Sequence, residues 1–542
     1  MRDGNLKGPE LVWIQPMDMA LDFGGPVDVP YTPLSEDPAD FQGTALLERL
    51  AGLYPDKIAV TDGKVAINYA ETLDRVYGLA EQIARAVEPG GVVASVIHNG
   101  PLAAVVMIAA TVSGRTLVPI DAGHPIERQA ALFAETGAQA VVLAKDVEID
   151  ESFIPSSVRR LDFDVTAPTG AKPFRANIDT TNPLIVMFTS GSTGRPKGLA
   201  YGHGNGASMA RSVAKYHFNA NDVICGLASL SQGGAGGIGT AFTTGATLRI
   251  IDIKQIGILE ALKVMGEEGV TVLSFVPSIL RTLMAMPGIE KAFAKLRLLE
   301  LHGERILASD IALFRSKLPA DCHIAITYGS TEAGAVFSWF VQDDKIDGPV
   351  APIGYLVPGR EVALIDENGE PTPPGEVGEL LVRGKMAMGS WQGGRLSSAR
   401  FIVDPDDPDI KIYPMGDQVR MRADGLFEFV GRRDRQVKIR GLWADLGEVE
   451  AALRAAEGVA EAVVVAHSAE GQADTLVAFI TTEEDAAQPS PVALRNAVIA
   501  ATAEHMAPAE IRVLAEIPRL ANYKPDLVRL GKLLAGAAPD AV

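Results

Sequence analysis

From residue 42 onward the chain alternates short apolar runs with longer amphipathic ones, and that rhythm limits the folds open to it. ALLERLAGLY (45–54) reads as a helix, KIAVTD (57–62) as a strand, YAETLDRVYGLAEQIARAV (69–87) as a long amphipathic helix and GVVASVI (91–97) as a buried strand. The order returns with an apolar helix at 102–112, TLVPID (116–121), a helix near 126–136 and AVVLA (140–144). Such alternation predicts parallel sheets covered by helices on both faces, an α/β fold. A second round fills 184–330, with strands PLIVMFT, DVICGLAS, VTVLSFV and HIAITY and helices after 203 and over 255–268.

The pattern changes twice more. Between 345 and 430, turns such as ENGEPTPPGEVGE separate the short strands EVALID, GELLVRG and LFEFVG, which predicts a small antiparallel, barrel-like subdomain. After GRRDRQVKIRG come a helix at 446–456, strands AEAVVVAHS and LVAFITT, a helix at 491–505 and strand EIRVLAE. That is a separate α+β unit of roughly 100 residues. The expected division is a leader at 1–41 packed on the surface, a large domain at 42–433 and a small mobile domain at 434–542.

Composition excludes several classes. A formal charge of −19 argues against a phosphate-backbone surface, so no nucleic-acid partner is expected. Cys225 and Cys322 are the only cysteines and have no CxxC or Cys/His neighbours, which fits a reducing cytoplasm and no zinc site. LAAVVMIAATV (102–112) is too short to span a bilayer, and MRDGNLKGPELVW lacks the apolar core of a secretory signal, so no membrane role is expected.

TSGSTGRPKG follows the apolar strand PLIVMF, where a phosphate-binding loop belongs. Its glycines let the backbone turn tightly and point N–H groups inward, and Thr189, Ser190, Ser192 and Thr193 add hydroxyl donors. Lys197 adds a mobile positive charge. A Walker loop is excluded, because Pro196 precedes the lysine and Gly198 follows it.

With this loop the chain resembles the superfamily of AMP-forming adenylating enzymes: acyl-CoA synthetases, nonribosomal-peptide adenylation domains and luciferases. The resemblance covers about residues 42–535, with motifs in the family's order. It implies that Thr189, Ser190, Gly191, Ser192, Thr193, Gly194 and Lys197 close over ATP phosphates, and that Gly303 and Glu304 also contact the nucleotide. In YGSTEAG it implies that Tyr328 stacks on adenine, that Gly329, Ser330 and Thr331 line the nucleotide site, and that Glu332 holds Mg²⁺. Mg²⁺ and hydroxyl donors would stabilise charge on the attacked α-phosphate. YPMGD places Asp417 on the ribose, with Met415 where the family has Thr. In GRRDRQVKIRG, Arg432 matches a ribose and phosphate contact and Asp434 the hinge of the small domain. IPRLANYKPD places Lys524 as the lysine that bridges substrate carboxylate and nucleotide, although Tyr523 and Pro525 depart from the family pattern.

Amino-acid-activating relatives keep an Asp for the substrate ammonium. Counting back from Thr244-Gly245-Ala246, its place falls on Gln232. A neutral amide cannot offset the desolvation of a buried ammonium as a carboxylate can, so the acid is expected to lack an α-amino group. The other pocket positions fall on Gly233, Gly236, Ser274, Leu299, Leu301, Thr327, Ala335 and Val336, a small and apolar set suited to an aliphatic or aryl acid. QVKIRGLWADLGEVE resembles peptide-synthetase adenylation domains more than CoA ligases. This favours a phosphopantetheine thiol on a carrier protein over free CoA as acyl acceptor. Free CoA, an amino-acid substrate and a non-catalytic relative are the alternatives.

Overall fold

The computed structural model describes residues 11–17, 23–41, 43–145, 147, 149–189, 197–203, 206–397, 401–404, 407, 409–432, 435–439, 442–467, 475–483, 489–502, 504–520 and 525–534. Two large sheets form the bulk of the molecule. In the eight-stranded sheet, Thr116–Asp121, Val92–Ile97, Ala140–Ala144 and Arg159–Phe163 run parallel, and Ile185–Thr189 joins them in the same sense. The chain then doubles back. Ile185–Thr189 pairs antiparallel with Lys197–Tyr201, Thr189 opposite Lys197, and Gly389–Gln392 pairs antiparallel beyond that.

The nine-stranded sheet has a parallel interior: His323–Ser330, Leu298–His302, Val272–Phe275, Val223–Gly226, Thr247–Ile250 and Ile58–Thr61. Its edges are antiparallel, with Gly334–Phe340 and Tyr355–Leu356 on one side and Ala66–Asn68 on the other. The expected parallel sheets are therefore the interiors. An antiparallel neighbour needs only a short turn, whereas a parallel one needs a crossover of a dozen residues or more.

The helices Tyr69–Ala86 and Pro101–Ser113 lie between the two sheets, in one core that holds Val93 and Leu117 of the first sheet and Leu248, Val272 and Leu298 of the second. This explains why 102–112 is apolar all round: both of its sides are covered. Pro101 opens that helix and Gly114, at φ 70°, ends it. Asn68 and Glu71 form a reciprocal capping box at the start of the longer helix. Tyr69 is buried and donates to Ala241 O (2.9 Å) and Ala246 O (2.7 Å), tying the first helical layer to the second sheet.

A five-stranded antiparallel sheet follows, built from Arg360–Ile365, Gly378–Gly384, Lys411–Met421, Ile402–Val403 and Phe427–Arg432. The described part of the leader lies against it. Ile14 and Val362 exchange backbone bonds of 2.7 and 3.1 Å, and Leu11 and Trp13 pack on Ala363 and Ile365.

Beyond it, Gln436–Ile439 and Leu442–Asp445 form a hairpin, and Leu446–Arg454 starts on an Asp445 cap (2.8 and 3.1 Å). Val459–His467, Thr475–Thr482 and Glu510–Val513 make a three-stranded sheet with its own core. The helix expected at 491–505 ends at Ala501, and the strand expected at 510–516 ends at Val513. Arg305 touches both sides of the junction: it donates to Val430 O (2.9 Å), lies over the Phe429 ring (5.1 Å) and stands 3.9 Å from the Asp445 carboxylate. No helix among the described residues is long and apolar enough to cross a membrane.

Candidate active site

Several of the sequence-predicted residues, Tyr328, Thr331, Glu332, Asp417 and Arg432, lie together where the nine-stranded sheet meets the small antiparallel one. TSGSTGRPKG closes the hairpin between Ile185–Thr189 and Lys197–Tyr201; Ser190–Pro196, and so Gly191, Ser192, Thr193 and Gly194, lie outside the described residues. A strand rather than a helix follows the loop. Phosphates held here would rest on backbone N–H groups and side chains, without the helix N-terminus that a Walker loop supplies. Gly198 is required by its neighbour: a Cβ there would stand 2.8 Å from that of Trp391 on the adjoining strand.

At the far end of the strand Lys197–Tyr201, the Tyr201 hydroxyl donates to the carbonyl of Thr331, and burial with the nearby Glu332 carboxylate pushes its pKa above the ordinary tyrosine value. The Glu332 carbonyl accepts from Ala387 N at 3.0 Å. The turn carrying Thr331 and Glu332 is thus held from both sides, with Thr331 exposed and Glu332 half-buried. Ser330 Oγ accepts from Ala333 N (3.1 Å) within the turn. Arg360 reaches in behind and donates to the carbonyls of Ala333 (2.8 Å) and Ala335 (3.3 Å). Gly329 lies so close to its antiparallel partner that a Cβ would meet Gly334 O at 2.0 Å.

Tyr328, in the same strand, donates its hydroxyl to Asp417, and Arg432 Nη1 donates to the other Asp417 oxygen at 2.8 Å. Burial and the Asp417 charge push the Tyr328 hydroxyl well above its ordinary value. Asp417 is held by the small antiparallel sheet, where Gly416 takes φ 72° and Asp417 pairs in register with Arg432. Met415, the departure noted above, is buried in that sheet's core and accepts from Ser330 Oγ at 3.6 Å. Gly303, at φ 81°, and Glu304 follow the strand Leu298–His302 at the same end of the nine-stranded sheet.

A single carboxylate beside an open phosphate site suits Mg²⁺, which usually binds through one or two carboxylates and the substrate's phosphates. Glu332 fits that role, and among the described residues there is no cluster of three metal-ligating side chains that would suggest an all-protein cage.

The expected acid pocket needs correction. Leu299 and Leu301 are fully buried in the core behind the sheet, with Leu273, Phe275, Ile324 and Ile326. Side chains alternate along a strand, so the face shared with Ser274 and Thr327 belongs to Glu300 and His302. Ser274 and Thr327 do lie there, donating to Glu300 at 2.8 and 2.7 Å. The signal was present: in LLELH the two polar residues mark one face, and Leu299 and Leu301 the other. Ala335 is half-buried and Val336 buried. Gln232 closes a short helical turn, Leu230–Gln232, and Gly233 (φ 108°) and Gly236 face open space, where a Cβ would meet nothing within 4 Å. Lys524 and Asp434 lie outside the described residues.

Residues 47–391 match the family model for "AMP-binding enzyme", and 448–524 match "AMP-binding enzyme C-terminal domain". Tyrocidine synthase 3 of Brevibacillus parabrevis is 29% identical over 90% of the chain, and a probable non-canonical nonribosomal peptide synthetase, CymA, of Salinispora arenicola is 32% identical over 89%. The chain spans only 8% and 6% of the length of these relatives. Among solved structures, a four-domain nonribosomal peptide synthetase bound to AMP and glycine superposes with a TM-score of 0.77 at 22% identity, covering 92% of this chain and 37% of that one. Two family models matched in order, the first over residues 47–391, place the chain in the AMP-binding enzyme family.

Proposed function

We propose that the protein uses ATP to activate a carboxylic acid lacking an α-amino group, releasing pyrophosphate, and then passes the acyl group to a phosphopantetheine thiol, preferably on a carrier protein. The observation that carries the reading is the contact of the strand Lys197–Tyr201, through Tyr201, with the Thr331–Glu332 turn, which follows Tyr328 of the Tyr328–Asp417–Arg432 cluster. Such a site can hold phosphates at one end and a ribose at the other.

In this reading the 189–197 loop and Lys197 hold the β- and γ-phosphates, Thr331 donates to the α-phosphate and Asp417 accepts from the ribose hydroxyls. Bound at Glu332, Mg²⁺ would neutralise charge gathering on the phosphate oxygens. Arg432 then orients Asp417, and Lys524 bridges the acid and the nucleotide. The small domain, divided from the large one near Asp434, brings Lys524 in for the first step and withdraws it for the second. Gln232 supports the missing α-amino group, and the LGEVE run after the hairpin supports a carrier-bound thiol over free CoA. The preferred setting is the cytoplasm.

Replacement of Lys524 separates the two steps. Lys524→Ala is expected to abolish acid-dependent ATP–pyrophosphate exchange, while thioester formation from supplied acyl-adenylate largely survives. Equal loss of both steps would remove Lys524 from this role.

A further inference from the structure

Glu300 sits at the centre of a polar cluster that the roles above do not use. Its Oε1 accepts from Tyr216 (2.7 Å) and Thr327 (2.7 Å), and its Oε2 accepts from Ser274 (2.8 Å). Behind it, Lys215 at the end of the helix Gly206–Tyr216 donates to Ser338 Oγ and to the Tyr216 hydroxyl (3.1 Å). The ammonium also lies 4.4 Å from the Tyr216 ring centre and 5.4 Å from that of Phe340. Ser338 bonds onward to Thr327 (3.1 Å), so the two charges share one network.

The two charges differ in access. Lys215 is only 6% exposed, whereas Ser274, Glu300, His302 and Thr327 each keep part of their surface open. Glu300 shares its sheet face with Ser274 and Thr327, the two pocket positions it accepts from. Burial pushes the Lys215 ammonium down to about 7. For Glu300, burial works the other way but is outweighed by His302, the Thr327 and Tyr216 hydroxyls and Lys215, so its pKa is lowered. Burying the carboxylate is costly, and its neighbours together offset that cost, His302 first, then the Thr327 and Tyr216 hydroxyls and Lys215 last.

An ionised carboxylate only accepts hydrogen bonds, at about four positions. Three hydroxyls of the described residues use three of them, and Oε2 takes Ser274 alone. Along the strand Leu298–His302, Glu300 precedes Gly303 by a distance of about 10 Å, at about 3.3 Å per residue. A group bound at Glu300 is therefore well removed from the carboxylate activated at the nucleotide end.

We propose that Glu300, on the sheet face it shares with Ser274 and Thr327, selects a carboxylic acid that carries a hydrogen-bond donor, a hydroxyl or an amino group, several bonds from its carboxylate. The inference rests on the adenylation reading and narrows the apolar pocket expected from the sequence. It also moves any substrate amine away from the α-carbon, where Gln232 would have met it.

The test is pyrophosphate exchange by the full chain with two matched sets: hexanoate with its ω-hydroxy and ω-amino derivatives, and benzoate with its para-hydroxy and para-amino derivatives. In at least one set a donor-bearing acid should exceed its unsubstituted parent by at least about tenfold in kcat/KM, and the hydroxy and amino arms show which donor is used. The double variant Lys215→Met/Glu300→Leu removes both charges together and should reverse the order in favour of the parent acid. Should that variant not fold, Glu300→Gln replaces it and should reduce the donor's advantage at least about fivefold. Exchange that runs best with the parent acids in the wild type, or a donor preference unchanged in the variant that folds, overturns the proposal and leaves adenylation standing. Exchange with no acid at all removes the adenylation reading, and this inference with it.

Discussion

Lys215 has an ordinary side chain in an extraordinary place, and its titration should be measurable. Burial lowers the ammonium to about 7, with Glu300 acting in the opposite direction, whereas an unfolded lysine titrates near about 10.4. Between those values the unfolded chain binds more protons than the folded one, so Lys215's contribution to stability rises with pH, by at most about 1.4 kcal/mol per unit. Below pH 7 its penalty is constant. Urea unfolding of wild type and Lys215→Met should therefore give a stability difference that shifts in favour of wild type from pH 7 to 9. A difference flat with pH would place the titration elsewhere. None of this was readable beforehand, because Lys215 ends an amphipathic helix where a lysine is normally solvated. Ser274 and Thr327 were assigned to the pocket from the chain's motifs, while Glu300 and His302 were displaced by one residue onto Leu299 and Leu301. A single-residue slip exchanges the two faces of a strand, and the packing of Leu299 and Leu301 behind the sheet agrees with the face that Glu300 and His302 mark in the sequence.

At the scale of elements, the helices and interior strands were legible because both report hydrophobic periodicity. The antiparallel additions were not. KGLAY is short, begins with a charged residue and a glycine, and becomes a strand only because Ile185–Thr189 and Gly389–Gln392 pair with it on either side. The GGAGGIG stretch lacks a helical propensity, yet Ala235–Thr244 is a helix in which Gly239 lies under the Met209 side chain while Gly236 faces open space. The tightest of these features is the hairpin of His323–Ser330 and Gly334–Phe340. A Cβ on Gly329 would collide with the backbone oxygen of Gly334, so Gly329→Ala must displace the turn that presents Thr331 and Glu332. It should lower acid-dependent exchange by about a hundredfold, the scale of loss when reacting groups move by an ångström, while the chain still folds. Activity within about threefold of wild type would show that the turn's position does not set the chemistry.

At the scale of the whole molecule, the α/β class and the order of sheets and small unit follow from the sequence, but the contacts between the units do not. Arg305 makes the link, and its neighbours show its weight. Burial raises the Asp445 carboxyl, with Arg305 the largest influence against that rise, and burial lowers the Arg305 guanidinium. Arg305→Ala leaves Asp445 buried without that partner and should loosen the small unit from the large one, seen as a larger radius of gyration in small-angle scattering. An unchanged radius would mean that other contacts hold the arrangement. The chemistry assigned to the site is measured directly by acid-dependent exchange of pyrophosphate into ATP, run across a panel of carboxylic acids. Exchange should require an acid, favour acids bearing a remote hydroxyl or amine and ignore plain α-amino acids. Exchange with no acid, or strongest with a simple α-amino acid, would contradict that assignment.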